Sequence, residues 1–308
     1  MTVTSLGRGI YIPIPTFFNE DEELDLVALD QHIAYLSKTG ISGFVVLGSM
    51  GEAVSLTEQE RFKVIEQSAK SVSKHNPDLK IIAGTSAQSA KATLYLTELA
   101  AKAGAHFCLV LPPSYYKTMI DDVGIEKFYR QIADTSPLPL VIYNYPGVSQ
   151  GVDVGVKLVV KLSKHPNIVG LKATDGSVGK MSDLVRKTDP RDITLLAGSA
   201  EFFLPELMMG AAGLVPGSGN IFPRVCVEIQ RLYESNQLQK AIDLQHQLVE
   251  PDQALLRWKG IPGIKSYIHR KLGYGNGICR TPLYKQEDIA TIESAVDKMW
   301  ETEQALIK

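Results

Sequence analysis

Short apolar runs and longer amphipathic stretches alternate along this chain. The runs begin near Ile10, Gly43, Lys80, His106, Leu140, Ile168, Ile193 and Gly213. Each is short, apolar and rich in strand-forming residues, so each predicts a buried strand. Between the runs the period changes. Asp25 to Lys38 puts Leu26, Leu29, Ile33 and Leu36 on one helical face, then stops at Gly40. Thr57-Glu58-Gln59-Glu60 opens the next helix as a capping box, with Thr57 on the third amide and Glu60 reaching back. Gln88 to Ala103 is rich in Ala and Leu and ends at Gly104, and Glu201 to Met209 ends at Gly210.

Eight strands alternating with helices, their starts about 20 to 37 residues apart, predict a (β/α)8 TIM barrel. A doubly wound open sheet is the competitor, but no G-x-G-x-x-G follows the first strand. Closure is expected near Gly213–Pro216. One further helix completes a catalytic barrel over residues 1–232, and residues 233–308 form a C-terminal helical extension. Its helices are expected at Leu238–Leu255, Trp258–Lys271 and Gln286–Ile307, joined by turns at Gly260–Gly263 and Tyr274–Pro282. No internal repeat or low-complexity stretch is evident.

The 308 residues, 44% of them hydrophobic, can bury a large core. A net charge of −2 sets up no field for nucleic acid, and no apolar run is long enough to span a bilayer. Met1 to Phe18 has one arginine and no apolar core, which argues against a secretory or organellar signal. Three scattered cysteines suggest free thiols and the cytosol, with Cys108 a small buried hydrophobe. The six histidines show no metal-ligand spacing, so no metal is expected.

In such a barrel, polar groups at the C-terminal strand ends converge on one mouth. Lys172 ends the sixth strand, in Asn167-Ile168-Val169-Gly170-Leu171-Lys172. Apolar surroundings would lower its pKa and free an amine able to form an imine with a ketone. The bland alternative is a lysine that snorkels past the strand end. Gly48-Ser49-Met50-Gly51-Glu52 follows the second strand. Its glycines allow a tight turn whose amides face an anion, or an ordinary strand-to-helix turn. Leu111-Pro112-Pro113-Ser114-Tyr115-Tyr116 follows the fourth, as a site loop or an interface feature. Tyr143 in Tyr143-Asn144-Tyr145-Pro146 is a core aromatic or a proton-transfer group. Together these ends fit one chemistry, in which an amine, a proton shuttle and a carboxylate grip act on a keto acid.

In Gly48-Ser49-x-Gly51-Glu52, Tyr143-Asn144-x-Pro146 and Gly170-Leu171-Lys172, the chain resembles the lysine-dependent pyruvate aldolases. That superfamily includes dihydrodipicolinate synthase and N-acetylneuraminate lyase, and the resemblance runs over nearly the whole length. It implies the same barrel with a helical extension, assembled as a tetramer or dimer. It implies Lys172 as the Schiff-base lysine and Tyr143 as the acid/base. Ser49 and Tyr116 would complete the relay, Tyr116 arriving from a neighbouring subunit. The pyruvate carboxylate would rest on the Ser49 and Met50 amides, and the Val215 carbonyl would line the lysine. Glu52 would anchor its loop. Thr174, Gly198 and Glu201 would bind the rest of the substrate. No cofactor beyond the imine on Lys172 is implied.

The departures from that pattern narrow the substrate. The synthase carries an arginine shortly after Tyr-Asn-x-Pro, and here Pro146-Gly147-Val148-Ser149-Gln150-Gly151 has none. The lyase has an acidic pair after the seventh strand, and here only Glu201 of Ser199-Ala200-Glu201 remains. The distal pocket is therefore expected to offer neutral or acidic groups: Thr174, Asp175, Ser199 and Glu201. The expected reaction is cleavage of a 2-keto-3-deoxy sugar acid or a 4-hydroxy-2-oxo acid to pyruvate and an aldehyde. Condensation of pyruvate with aspartate semialdehyde is the alternative. A non-catalytic sugar-acid sensor is the third reading.

Overall fold

The computed structural model describes residues 5–286 and 288–307. The first four residues of the N-terminal reading lie outside that set. So do Glu287, within the last expected helix, and Lys308. Eight parallel strands close into a barrel in chain order. They are β1 (Gly9–Pro13), β2 (Gly43–Val46), β3 (Lys80–Gly84), β4 (Phe107–Val110), β5 (Leu140–Asn144), β6 (Ile168–Ala173), β7 (Thr194–Ala197) and β8 (Gly213–Leu214). The ring shuts where Gly9 and Ile10 pair with Gly213 and Leu214. Every observed start falls within one residue of its expected place.

Strand alternation builds two cores. Val45, Ile82, Leu109, Val141 and Leu196 point inward and fill the barrel. Their neighbours Phe44, Ile81, Cys108, Ile142 and Leu171 point outward and pack beneath the helices. Such strands are buried on both faces, which is why they read as continuous apolar runs. Gly84 is required by a close approach, since a Cβ there would lie 1.9 Å from the Leu47 carbonyl oxygen.

The barrel helices are α1 (Leu26–Leu36), α2 (Glu58–His75), α3 (Ala90–Lys102), α4 (Asp122–Thr135), α5 (Val156–Leu162), α6 (Val178–Lys187), α7 (Phe203–Met208) and α8 (Pro223–Glu234). The capping box of α2 forms as read: the Glu60 carboxylate accepts the Thr57 N–H at 2.8 Å, and Thr57 Oγ1 accepts the Glu60 N–H at 3.3 Å.

Beyond the barrel run α9 (Leu238–Gln253), α10 (Gly260–Leu272) and α11 (Ala290–Ala305). The turn expected at Gly260–Gly263 is instead the first turn of α10. Pro262 sits at the third helical position, where an N–H has no partner within the helix and its loss costs little. Between α9 and α10 the chain widens into a π-helical turn, Ala254–Trp258, just after Pro251 has entered α9. Glu303 of α11 is fully buried, and its carboxylate accepts the first free amides of α8, those of Arg224 and Val225, at 3.1 and 2.9 Å. Among the described residues no helix is long and apolar enough to cross a membrane.

Candidate active site

The mouth at the C-terminal strand ends holds a pocket of about 500 Å³. Strand register builds its inner wall, because Tyr143 of β5 is the direct partner of Lys172 on β6. Direct partners point to the same side, so both side chains enter the barrel. The Lys172 ammonium lies 4.1 Å from the centre of the Tyr143 ring. Lys172 is 4% exposed. Burial lowers its pKa from the ordinary lysine value to about 7, so a large share of the side chain is free amine at neutral pH. Snorkelling is excluded by that burial.

Burial likewise pushes the Tyr143 phenol up to about 12, opposed by the Ser49 and Thr174 hydroxyls beside it. The phenol is therefore protonated at rest. The Thr174 hydroxyl is buried and makes no hydrogen bond of ordinary geometry among the described residues. Thr174 lines the pocket. Gly198 keeps the space for it, since a Cβ at Gly198 would sit 2.0 Å from Thr174 Oγ1.

The Ser49 loop is held in a tense conformation. Leu47 and Glu52, at its two ends, have left-handed φ values of 59° and 51°. The Gly51 and Glu52 amides turn back onto the Gly48 and Ser49 carbonyls at 3.0 and 3.2 Å. The Ser49 and Met50 amides stay outside those turn bonds. Glu52 fixes the loop from below. Its carboxylate pairs with Lys265 of α10 at 2.7 Å, both side chains being almost fully buried, and accepts the Arg280 N–H at 3.2 Å. Ser49, Met50 and Val215 all line the pocket.

Asn144 ties the neighbouring strand ends together. Its side-chain amide donates to Asp153 at 2.7 Å and to Asp175 at 2.5 Å, and Lys180 bridges the same two carboxylates. Beneath this cluster lies Glu206, fully buried, with no partner for either carboxylate oxygen among the described residues. Burial, aided by the charge of Asp175, raises its pKa to about 8 and keeps it protonated at neutral pH.

The C-terminal extension completes the distal wall. Leu256, Arg257, Gly260 and Ile261 join Asp175, Ser199, Glu201 and Tyr145 around the opening. Asp252 of α9 positions this wall. It is buried, and it accepts the Ser199 hydroxyl at 3.1 Å, the Glu201 N–H at 3.2 Å and the Ser218 hydroxyl. Arg257 corrects the expectation of a purely neutral or acidic distal end. No spacing signal marks a lone arginine in a distant segment; only the π-helical turn brings it to the mouth. Tyr116 does not join its own chain's pocket. It stands outside, 58% exposed, against Tyr115. Among the described residues no group of three His, Cys, Asp or Glu side chains is placed to hold a metal.

Comparison with known proteins adds four findings. The model of the dihydrodipicolinate synthetase family matches residues 7–297. The chain is 37% identical to a probable mitochondrial 4-hydroxy-2-oxoglutarate aldolase of Emericella nidulans, over 98% of this chain and 97% of that one. It is 36% identical to the L-threo-3-deoxy-hexylosonate aldolase of Hypocrea jecorina, over 99% and 100% of the two chains. Among solved structures, a dihydrodipicolinate synthase family protein from Coccidioides immitis superposes with a TM-score of 0.85 at 28% identity, covering 99% of this chain and 100% of that one.

Proposed function

The chain belongs to the dihydrodipicolinate synthetase family, and we propose that within it this protein cleaves a 2-keto-3-deoxy sugar acid or a 4-hydroxy-2-oxo acid. It is a carbon–carbon lyase, a class I pyruvate aldolase. The observation that carries the mechanistic reading is the buried Lys172 amine against the Tyr143 ring.

Lys172 adds as free amine to the C2 ketone. The carbinolamine hydroxyl then takes the Tyr143 proton and leaves as water. An iminium and a phenolate remain side by side, each favouring the other's charge. The phenolate accepts the 4-hydroxyl proton as the C3–C4 bond breaks, and the bonding electrons flow into the iminium. The aldehyde departs, and an enamine is left on Lys172. Protonation at C3 and addition of water at C2 release pyruvate and restore the amine. In this scheme the iminium is the electron sink, so no resident cofactor is invoked.

Ser49 supports the Tyr143 proton path, and the Ser49 and Met50 amides receive the C1 carboxylate beside the Val215 carbonyl. Thr174, Gly198 and Glu201 shape the remainder. We assign Tyr116 to the pocket of a second copy. Tyr115 and Tyr116, in contact with each other, and Met119 on the same loop are 71, 58 and 82% exposed, apolar groups suited to cover by another subunit. The three buried free thiols suit a reducing compartment. We read that compartment as the cytosol, and fractionation of cells separates it from the mitochondria named for one relative.

Incubation with pyruvate and borohydride tests the reading. One reduced pyruvate is expected on the Lys172 peptide, with labelling and turnover both lost in Lys172→Ala. Labelling of another lysine, with Lys172→Ala still active, would falsify it. Pyruvate release from keto-deoxy acids, measured against pyruvate consumption with aspartate semialdehyde, separates cleavage from synthase chemistry.

A further inference from the structure

Among the described residues, four charged side chains line the pocket: Lys172, Asp175, Glu201 and Arg257. Lys172 becomes the imine, and Asp175 is already bridged by Lys180 at 2.8 Å. The distal end is thus governed by Glu201 and Arg257, which form an ion pair with each other. The two partners are held very differently. Glu201 is fixed at several atoms: its N–H donates to Asp252, its carbonyl accepts Gln245 Nε2 at 3.3 Å, and its Oε2 accepts Gln253 Nε2 at 3.1 Å. Its side chain is 13% exposed. Arg257 has a side chain 65% exposed, and Glu201 is its sole hydrogen-bond partner among the described residues. A guanidinium carries five N–H donors in a planar fork. One points at Glu201, and the others remain available at the pocket mouth.

We propose that Glu201 acts as a built-in counter-ion which neutralises Arg257, so that the distal pocket selects a neutral polyhydroxylated chain over a second carboxylate. The inference rests on the aldolase reading above and deepens it. With the pair closed, Glu201 offers acceptors and Arg257 offers donors, the two requirements of successive hydroxyl groups. A substrate ending in a carboxylate meets a wall where Arg257, among the described residues, is already matched by Glu201. It would have to share Arg257 with Glu201, which stays where its other bonds hold it. That leaves two carboxylates around one guanidinium. The residue pair, rather than the lysine chemistry, then separates a six-carbon 2-keto-3-deoxy aldonic acid from 4-hydroxy-2-oxoglutarate.

The test measures pyruvate release from both acids with the full chain and with three variants: Glu201→Gln, Arg257→Gln and the double variant. The wild type is expected to favour the six-carbon acid. Glu201→Gln leaves the guanidinium uncompensated and is expected to shift the ratio of kcat/KM toward 4-hydroxy-2-oxoglutarate by about tenfold or more. Adding Arg257→Gln to Glu201→Gln is expected to erase that shift. Arg257 is largely exposed, so Arg257→Gln tests the assignment without opening the core, and it is expected to weaken cleavage of the six-carbon acid. A ratio unmoved by Glu201→Gln, or a shift that survives in the double variant, overturns this inference and leaves the aldolase reading standing. Cleavage of neither acid by the wild type overturns the aldolase reading together with this one.

Discussion

Lys172 and Tyr143 show how far single residues can be read. Both stand at the ends of apolar runs, and such ends in a barrel of this kind face the mouth. The register that pairs them directly depends on a one-residue bulge in β6, since Leu140 faces Ile168 but Val141 already faces Gly170. Their proton affinities then follow from burial. Since Lys172 titrates near 7, it is protonated and unreactive below that point. We expect kcat/KM to fall about tenfold per pH unit below about 7 and to level off above it. A profile flat down to pH 5 would place the free amine's pKa far lower, or make another group the nucleophile. Arg257 was not legible in the same way. Its place depends on a helical widening after Pro251, and side-chain periodicity carries no trace of that.

Among the elements, strands and barrel helices were readable because each satisfies its own requirements locally. Caps, stop glycines and two-sided burial are all sequence-encoded. The extension was less so. Pro262 reads as a breaker by composition, yet it opens a helix because its position in the first turn decides its effect. The Glu52–Lys265 pair joins the Ser49 loop to α10 in a site where water is nearly absent. Removing one partner strands a buried charge, so Lys265→Met is expected to cost about 3–5 kcal/mol in denaturant unfolding. Glu52→Gln added to Lys265→Met should recover part of that loss, since Gln keeps an acceptor for the Arg280 N–H. A loss below about 1 kcal/mol in the single variant would mean that the charge finds water.

At the scale of the whole molecule, Tyr116 stands apart from the pocket of its own chain, and its proposed role requires another copy. Light scattering is expected to find more than one chain per particle. Tyr116→Phe is expected to lower kcat by about tenfold or more, as removal of a proton-relay hydroxyl does. An active monomer, or an indifferent Tyr116→Phe, would return this residue to packing. The barrel carries Lys172 and Tyr143, and the extension adds Leu256, Arg257, Gly260 and Ile261 to the far wall, on stretches of chain well separated in sequence. In descent, the two can therefore drift apart. Substitutions between Asp252 and Ile261 are expected to alter what is admitted, and none of them lies on the strands that align Tyr143 with Lys172. A lineage can thus change its diet of keto acids while inheriting its chemistry intact. A library confined to those codons is the short route to accepting a new aldehyde.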